Sequence, residues 1–108
     1  MKSSQYVGAA AVAVFFAGAA HAADADKAKA LIKGSDCMAC HAEATKLVGP
    51  AYKEVAKKYK GNAAAVDMLV KKVKAGGSGN WGAIPMTPHP NLKDEDVKVM
   101  VDYILSLS

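Results

Sequence analysis

The sequence contains two cysteines, and both lie in the five-residue segment Cys37-Met38-Ala39-Cys40-His41. A disulfide between such near neighbours would close almost no loop and would stabilise the chain little. The segment matches the attachment signature of a c-type haem, in which two thiols bond to one porphyrin and the adjacent imidazole binds the iron. The motif therefore predicts that Cys37 and Cys40 anchor one covalent haem c and that His41 is an iron ligand.

Two other uses of a Cys-x-x-Cys segment fit this chain less well. A thioredoxin-like redox pair belongs in a βαβ unit, and the sequence shows no strand-like alternation of apolar and polar residues. A structural zinc site needs four ligands, and the chain offers few further candidates. Haem attachment is the favoured interpretation of the motif.

The N-terminal segment has the pattern of an export signal. Lys2 supplies a positive start, an apolar run follows from Val7 to Ala20, and Ala20-His21-Ala22 places small residues at both positions that determine cleavage. The run is shorter than the roughly 20 apolar residues that a membrane-spanning helix needs. We therefore expect residues 1–22 to be a cleaved secretory signal peptide, residues 23–108 to form one periplasmic domain, and no stable membrane insertion.

The chain has a formal net charge of +4, and its lysines are concentrated between Lys46 and Lys74, where the only acidic residues are Glu54 and Asp67. A nucleic-acid surface would interleave basic residues with stacking aromatic residues, and export from the cytoplasm argues further against that role. We expect a solvated basic face. It is also suited to transient docking of an acidic redox partner.

Helical spacing of apolar residues recurs in four segments, and each segment has a recognisable end. The predicted helices are Asp24–Lys33 before Gly34, a segment from Pro50 to Gly61, a segment from Ala63 to Gly76-Gly77, and a last helix carrying the stripe Val97, Met100, Val101, Ile104 and Leu105. The predicted fold class is all-α, with about four short helices wrapped around one haem.

Haem iron has a second axial position, and the ligand there largely determines the redox behaviour. Met68 and Met100 fall within predicted helices, where core packing accounts for them. Met86 lies instead between Pro85 and Thr87-Pro88, in a loop stiff enough to present its thioether to the iron. We predict Met86 as the second ligand. His89 is the competing candidate and would give a bis-histidine iron of lower potential.

The sequence from Asp26 to the end, nearly all of residues 23–108, resembles the short bacterial class I cytochromes c of the c551 type, and four ordered segments carry this resemblance. They are Cys37-Met38-Ala39-Cys40-His41, Val48-Gly49-Pro50-Ala51-Tyr52, Trp81-Gly82-Ala83-Ile84-Pro85-Met86 and the closing Tyr103-Ile104-Leu105-Ser106-Leu107. The resemblance implies an iron ligated by His41 and Met86 and a Pro50 carbonyl that accepts the other ring N–H of His41. It also implies that the Trp81 indole N–H reaches a haem propionate.

The resemblance and a closed iron imply a monomeric, non-enzymatic carrier of single electrons between respiratory-chain donors and terminal reductases or oxidases. Its partners are expected to be redox proteins that dock transiently at the exposed haem edge. There we expect an apolar ring that includes Met38, Ala39, Ile84 and Pro85. Two alternatives stay open: an electron-transfer subunit held by a larger enzyme, and a less favoured haem protein that binds a gas or peroxide at an open iron.

Overall fold

The computed structural model describes the backbone of residues 17–108 and the side chains from Asp24 onward. The helices are α1 (Ala17–Gly34), α2 (Tyr52–Lys58), α3 (Ala65–Ala75) and α4 (Asp94–Leu105), and a single 3-10 turn covers Cys37–Ala39. Over the described residues, β-type pairing is limited to two isolated bridges. The predicted all-α fold with four helices is confirmed. Most of the predicted signal peptide, residues 1–16, lies outside the described part.

Helix α4 is the central element of the fold, because it packs against each of the other three helices. Its buried residues Val97, Met100 and Val101 meet Ile32 of α1 and Tyr52 of α2 in one core cluster. Val97 is 0% exposed and Met100 is 3% exposed. The apolar stripe predicted for the last helix therefore faces the core, as its spacing requires.

Two ion pairs fix the start of α4 against its neighbours. Lys74 at the end of α3 pairs with Asp94, and Lys27 of α1 lies 3.4 Å from Asp96. Both carboxylates belong to the first turn of α4, where the helix dipole also favours negative charge. The acidic cluster near Asp94 thus fixes where the helix begins, although no side chain caps it.

Helix α1 begins seven residues before the predicted start at Asp24. The added turns come from the alanine-rich stretch that begins at Ala17, and alanine has the highest intrinsic helix propensity. The predicted cleavage point after Ala22 therefore falls within a continuous helix of the full chain. The predicted end at Gly34 agrees with the structure.

Helix α2 is shorter than the predicted segment from Pro50 to Gly61. It begins at Tyr52 because the free N–H groups of Tyr52 and Lys53 donate to the carbonyls of Ala42 and Glu43, at 2.9 and 3.0 Å. The loop that follows the cysteine motif thus supplies the cap, and the Pro50 carbonyl is left free for another partner. Tyr59 ends the helix, two residues before Gly61.

Helix α3 begins at Ala65, two residues after the predicted start at Ala63. The Asn62 side-chain oxygen accepts the Ala64 N–H at 3.0 Å, and this turn delays the helix. The helix ends at Ala75 and Gly76 follows with a φ of +68°. The predicted break at Gly76-Gly77 is confirmed, and residues 76–93 form the long loop that leads to α4.

Candidate functional site

A single cavity of about 600 Å³ brings the predicted site residues together. This volume lies within the range of about 300–1,000 Å³ that is typical of small-molecule sites. Its lining includes Cys37, Cys40, His41, Pro50, Trp81 and Met86, which are all of the residues proposed from the sequence. Met100 and Ile104 of the central helix α4 also contribute to the wall. Segments distant in sequence therefore converge on one largely apolar cleft.

One hydrogen bond fixes the tautomer of the neutral His41 imidazole. Its Nδ1 lies 2.8 Å from the carbonyl oxygen of Pro50. Because a carbonyl oxygen can only accept, Nδ1 must carry the proton and donate it. The neutral ring then has an unprotonated Nε2, which is the form that binds a metal ion. A hydrogen bond of this kind fixes the tautomer and the orientation of a histidine that binds a metal.

Two residues that the sequence analysis gave no role lie directly against the His41 ring. Tyr52 stacks on it, with ring centroids 5.1 Å apart and an angle of 19° between the planes. Gly49 approaches so closely that an added Cβ would lie 2.5 Å from Cε1 and 2.9 Å from Nδ1 of His41. Such distances leave no room for a side chain. In the sequence, the only indication of these contacts was that both residues belong to the short segment that includes Pro50.

The first cysteine of the motif is half-buried on the 3-10 turn. Burial raises the pKa of the Cys37 thiol, and a hydrogen bond from the neighbouring Tyr52 side chain partly opposes this rise. Burial also raises the pKa of the Tyr52 hydroxyl, and the neighbouring Cys37 side chain adds to this rise. Both groups are therefore neutral near pH 7, and Tyr52 contacts the side chains of both Cys37 and His41.

The loop that carries Met86 is fixed on both sides of the methionine. Gly77 and Met86 exchange two backbone hydrogen bonds, at 3.0 and 2.9 Å, and the His89 N–H donates to the Val73 carbonyl at 3.0 Å. A Cβ on Gly76 would lie 2.5 Å from the Met86 carbonyl oxygen, so the loop crosses the end of α3 in close contact. Met86 is thereby held at the cavity by its backbone as well as by Pro85.

The same loop is tethered to α2 through a lysine. The Lys58 ammonium donates to the Asn80 carbonyl at 2.8 Å and lies 4.5 Å from the centroid of the Trp81 ring. Trp81 lines the cavity and is 42% exposed. The contact between the Lys58 ammonium and the Trp81 ring is a cation–π interaction. The predicted bond from the indole N–H to a propionate stays a prediction.

The other candidate axial ligands differ in their surroundings. Met100 is buried, as expected of a core residue, but Met68 is 37% exposed on α3, so the prediction of core packing is wrong for Met68. α3 places that side chain on its solvent side. His89 lines the cavity, and its Nδ1 is buried without a hydrogen-bond partner among the described residues. It therefore stays the competitor of Met86.

The donor set of the cavity fits a porphyrin iron better than a metal ion held by protein alone. Among the described side chains, no three from His, Cys, Asp and Glu come together in a metal-binding group, whereas the zinc alternative needs four ligands. The cavity instead offers two thiols, two imidazoles, of which that of His41 has a fixed tautomer, and the thioethers of Met86 and Met100, within a largely apolar wall. Fold and cavity together define the class of small all-α proteins that carry one haem on a Cys-x-x-Cys-His motif.

Comparison with known proteins gives the same class. The model of the family described as "Cytochrome c" matches residues 25–108. The chain is 52% identical over 77 residues to cytochrome c-551 of Allochromatium vinosum, covering 71% of this chain and 82% of that protein. It is 48% identical over 98 residues to cytochrome c-552 of Nitrosomonas europaea, covering 91% of this chain and 90% of that protein.

Solved structures extend the likeness to three dimensions. The crystal structure of Nitrosomonas europaea cytochrome c552 matches with a TM-score of 0.71 at 46% identity, covering 74% of this chain and 99% of that one. A class 1 cytochrome from Sideroxydans lithotrophicus ES-1 matches with a TM-score of 0.68 at 34% identity, covering 78% of this chain and 96% of that one.

The chain belongs to the cytochrome c family, as a class I member with a single haem. The family carries one covalently bound haem c with its iron, and its members of the c-551, c-552 and c2 types transfer electrons. Over the residues that the structure describes, no helix is long and apolar enough to cross a membrane.

Proposed function

We propose that the chain is a periplasmic carrier of single electrons, with Cys37 and Cys40 bonded to the haem and His41 and Met86 as axial ligands. The observation that carries this proposal is the convergence of these four side chains on one apolar cavity. When bound, the haem supplies a one-electron ferric/ferrous couple. Cys37 and Cys40 would attach it, His41 and Met86 would hold its iron, and the apolar wall would exclude water, so no substrate needs to bind the iron and no catalysis is expected.

Each residue at the site has a separate task in this proposal. Pro50 holds the His41 ring through Nδ1, which leaves Nε2 for the iron. The two backbone hydrogen bonds between Gly77 and Met86 would hold the chain that carries the thioether in one position. Little rearrangement then accompanies a change of charge, which favours fast exchange. The Trp81 indole N–H is proposed to hold a propionate.

Electrons are proposed to leave through an apolar docking ring that includes Met38, Ala39, Ile84 and Pro85. Ala39, Ile84 and Pro85 line the cavity and are exposed to solvent, Ile84 to 67%, and Met38, which precedes Ala39 in the sequence, is 46% exposed. Partner contacts of this kind are small and transient in redox pairs. A monomer with an open apolar edge serves such encounters.

A potentiometric titration tests the proposed carrier. We expect a single one-electron step with a positive midpoint potential, because a thioether ligand raises the potential relative to a second imidazole. The absorption spectrum, recorded at each applied potential, gives the measurement. A strongly negative midpoint would contradict ligation by His41 and Met86, and a spectrum that shifts with carbon monoxide would contradict a closed iron.

Export is tested by the mass of the mature protein. After expression with its own N-terminal segment in a bacterium that matures c-type haem, the protein is expected in the periplasmic fraction, beginning at Ala23. The apolar run and the Ala20-His21-Ala22 site support this expectation. Recovery of haem protein that still begins at Met1 would contradict it.

The basic face is tested by one charge reversal with a matched control. Lys53 on α2 and Lys33 on α1 are both exposed, and neither forms an ion pair with a described residue. At low salt, the Lys53→Glu variant is expected to be oxidised roughly two- to fivefold more slowly by the anion hexacyanoferrate(III). One surface charge contributes up to about 1 kcal/mol, and that energy corresponds to about a fivefold change in rate. Lys33→Glu is expected to have a smaller effect.

The outcome of this comparison decides the role of the lysines. The difference between the two variants should shrink as salt is raised, because exposed charges are screened. Lys58 is left unchanged because it binds Asn80 and Trp81. Equal rates for both variants at low salt would make the basic face a feature of solubility alone.

A further inference from the structure

The His41 imidazole is held by three residues from one short segment, 49–52. The Pro50 carbonyl accepts from its Nδ1, Tyr52 stacks on its plane, and Gly49 lies so close that an added Cβ would be 2.5 Å from Cε1. Of these, the hydrogen bond fixes which nitrogen carries the proton. A single hydrogen bond still allows the ring to rotate about the N–H···O direction, so the plane of the ring needs further contacts.

The segment that makes these contacts is tied to the residues on either side of His41. The Gly49 N–H donates to the Cys40 carbonyl at 2.7 Å, and the Tyr52 N–H donates to the Ala42 carbonyl at 2.9 Å. Both hydrogen bonds join backbone groups, so the spacing between the segment and the histidine is set by the chain itself. The segment therefore keeps a fixed position beside the ring.

Tyr52 is also fixed by the core of the domain. It is 6% exposed and belongs to the cluster formed with Ile32, Val97, Met100 and Val101. Aromatic rings in such a core keep one rotamer because close packing leaves no alternative space. The stacking surface offered to His41 is therefore rigid and connects the ring to helix α4.

Gly49 contributes by the absence of a side chain. Any Cβ at this position would lie 2.5 Å from Cε1, 2.9 Å from Nδ1 and 3.0 Å from Nε2 of His41. Contacts this short force either the imidazole or the backbone to move. The Gly49 backbone is held by its hydrogen bond to the Cys40 carbonyl, so the His41 ring has more freedom to turn.

We propose that Gly49 and Tyr52 are positioning residues that set the plane of the His41 imidazole, and with it the orientation in which this ligand meets the iron. The inference rests on the proposed ligation by His41. The plane of an axial imidazole determines how the iron d orbitals split, and in the ferric protein this splitting is read from the g values of the electron paramagnetic resonance (EPR) spectrum.

The experiment compares the ferric holoprotein with four variants, using EPR g values and the paramagnetic proton shifts of the haem methyl groups. Gly49→Ala and Tyr52→Leu are expected to shift the largest g value and to reorder the methyl shifts, because the ring turns. Tyr52→Phe keeps the stacking ring and is the conservative variant expected to restore the wild-type pattern. Gly34→Ala is the matched control, since nothing lies within 4 Å of a Cβ at Gly34.

The outcomes separate this inference from the proposed function. Wild-type g values and methyl shifts in a folded Gly49→Ala protein would overturn the positioning role of Gly49. If Gly49→Ala fails to bind haem, Tyr52→Leu decides, and an unchanged spectrum in that variant overturns the inference. If the spectrum of the unmodified protein itself lacks the signals of imidazole and thioether ligands, the proposed ligation by His41 and Met86 is overturned instead.

Discussion

Replacing both Cys37 and Cys40 with alanine is expected to abolish haem that survives denaturation and to destabilise the domain. The covalent bonds keep the haem at an effective concentration of about 1 mM or more, whereas the variant must bind it from free solution near micromolar concentration. A thousandfold ratio corresponds to about 4 kcal/mol of folding free energy. In a chain this small, where the core alone is marginal, such a loss is a large share of the total.

Haem staining after denaturing electrophoresis measures the attachment, and chemical denaturation measures the free energy of unfolding. The single variant Cys37→Ala is the graded control, because one thioether bond through Cys40 still retains haem under denaturing conditions. Leu47→Ala, at a residue that is 48% exposed, is expected to alter neither readout appreciably. Denaturation-resistant haem in the double variant would show that the attachment lies elsewhere.

The variant Met86→Ala is expected to lose the weak far-red absorption band that a bond between thioether sulfur and ferric iron produces. The midpoint potential should fall on the order of 100 mV, a part of the roughly 0.8 V range that axial ligands cover. The physical reason is that the thioether favours the ferrous state more than water or an imidazole does. Absorption spectroscopy and potentiometry give both values from one sample.

His89 makes a second variant necessary at this position. Its ring lines the same cavity, and its Nδ1 has no hydrogen-bond partner in the part of the chain that the structure describes, so His89 can bind the iron once the thioether is gone. In Met86→Ala with His89→Ala, we expect an open, high-spin iron that binds carbon monoxide. Met68→Ala is the control, because its side chain is exposed on α3. A far-red band that persists in Met86→Ala would contradict Met86 as the ligand.

The sequence was most informative where local chemistry decides the structure. Local residues alone predicted the motif Cys37–His41, the apolar stripe on α4 and the end of α3 at Gly76-Gly77. The structure confirmed the helices and the end of α3. The six proposed site residues also meet at one cavity. Their roles as attachment points and ligands remain proposals, since a shared cavity does not identify what each side chain binds.

The remaining features depend on contacts between segments, which periodicity does not reveal. Helix α2 begins at Tyr52 because carbonyls of the preceding loop cap it, and Pro50 therefore serves His41 instead of opening the helix. Tyr52 and Gly49 were named only within a segment that carries the family resemblance. Their contacts with the imidazole depend on the fold of the loop between Cys40 and Tyr52. Met68 was misjudged because helical position alone does not determine burial.

The central claim is one covalent haem with a closed iron, and the absorption spectrum of the mature protein tests it most directly. The spectrum is recorded in the oxidised state, after reduction with dithionite, and again after addition of carbon monoxide. The account predicts sharp low-spin c-type bands, a far-red band in the oxidised state and no change with carbon monoxide. A high-spin spectrum that shifts on adding carbon monoxide would contradict it and would favour a ligand-binding haem protein.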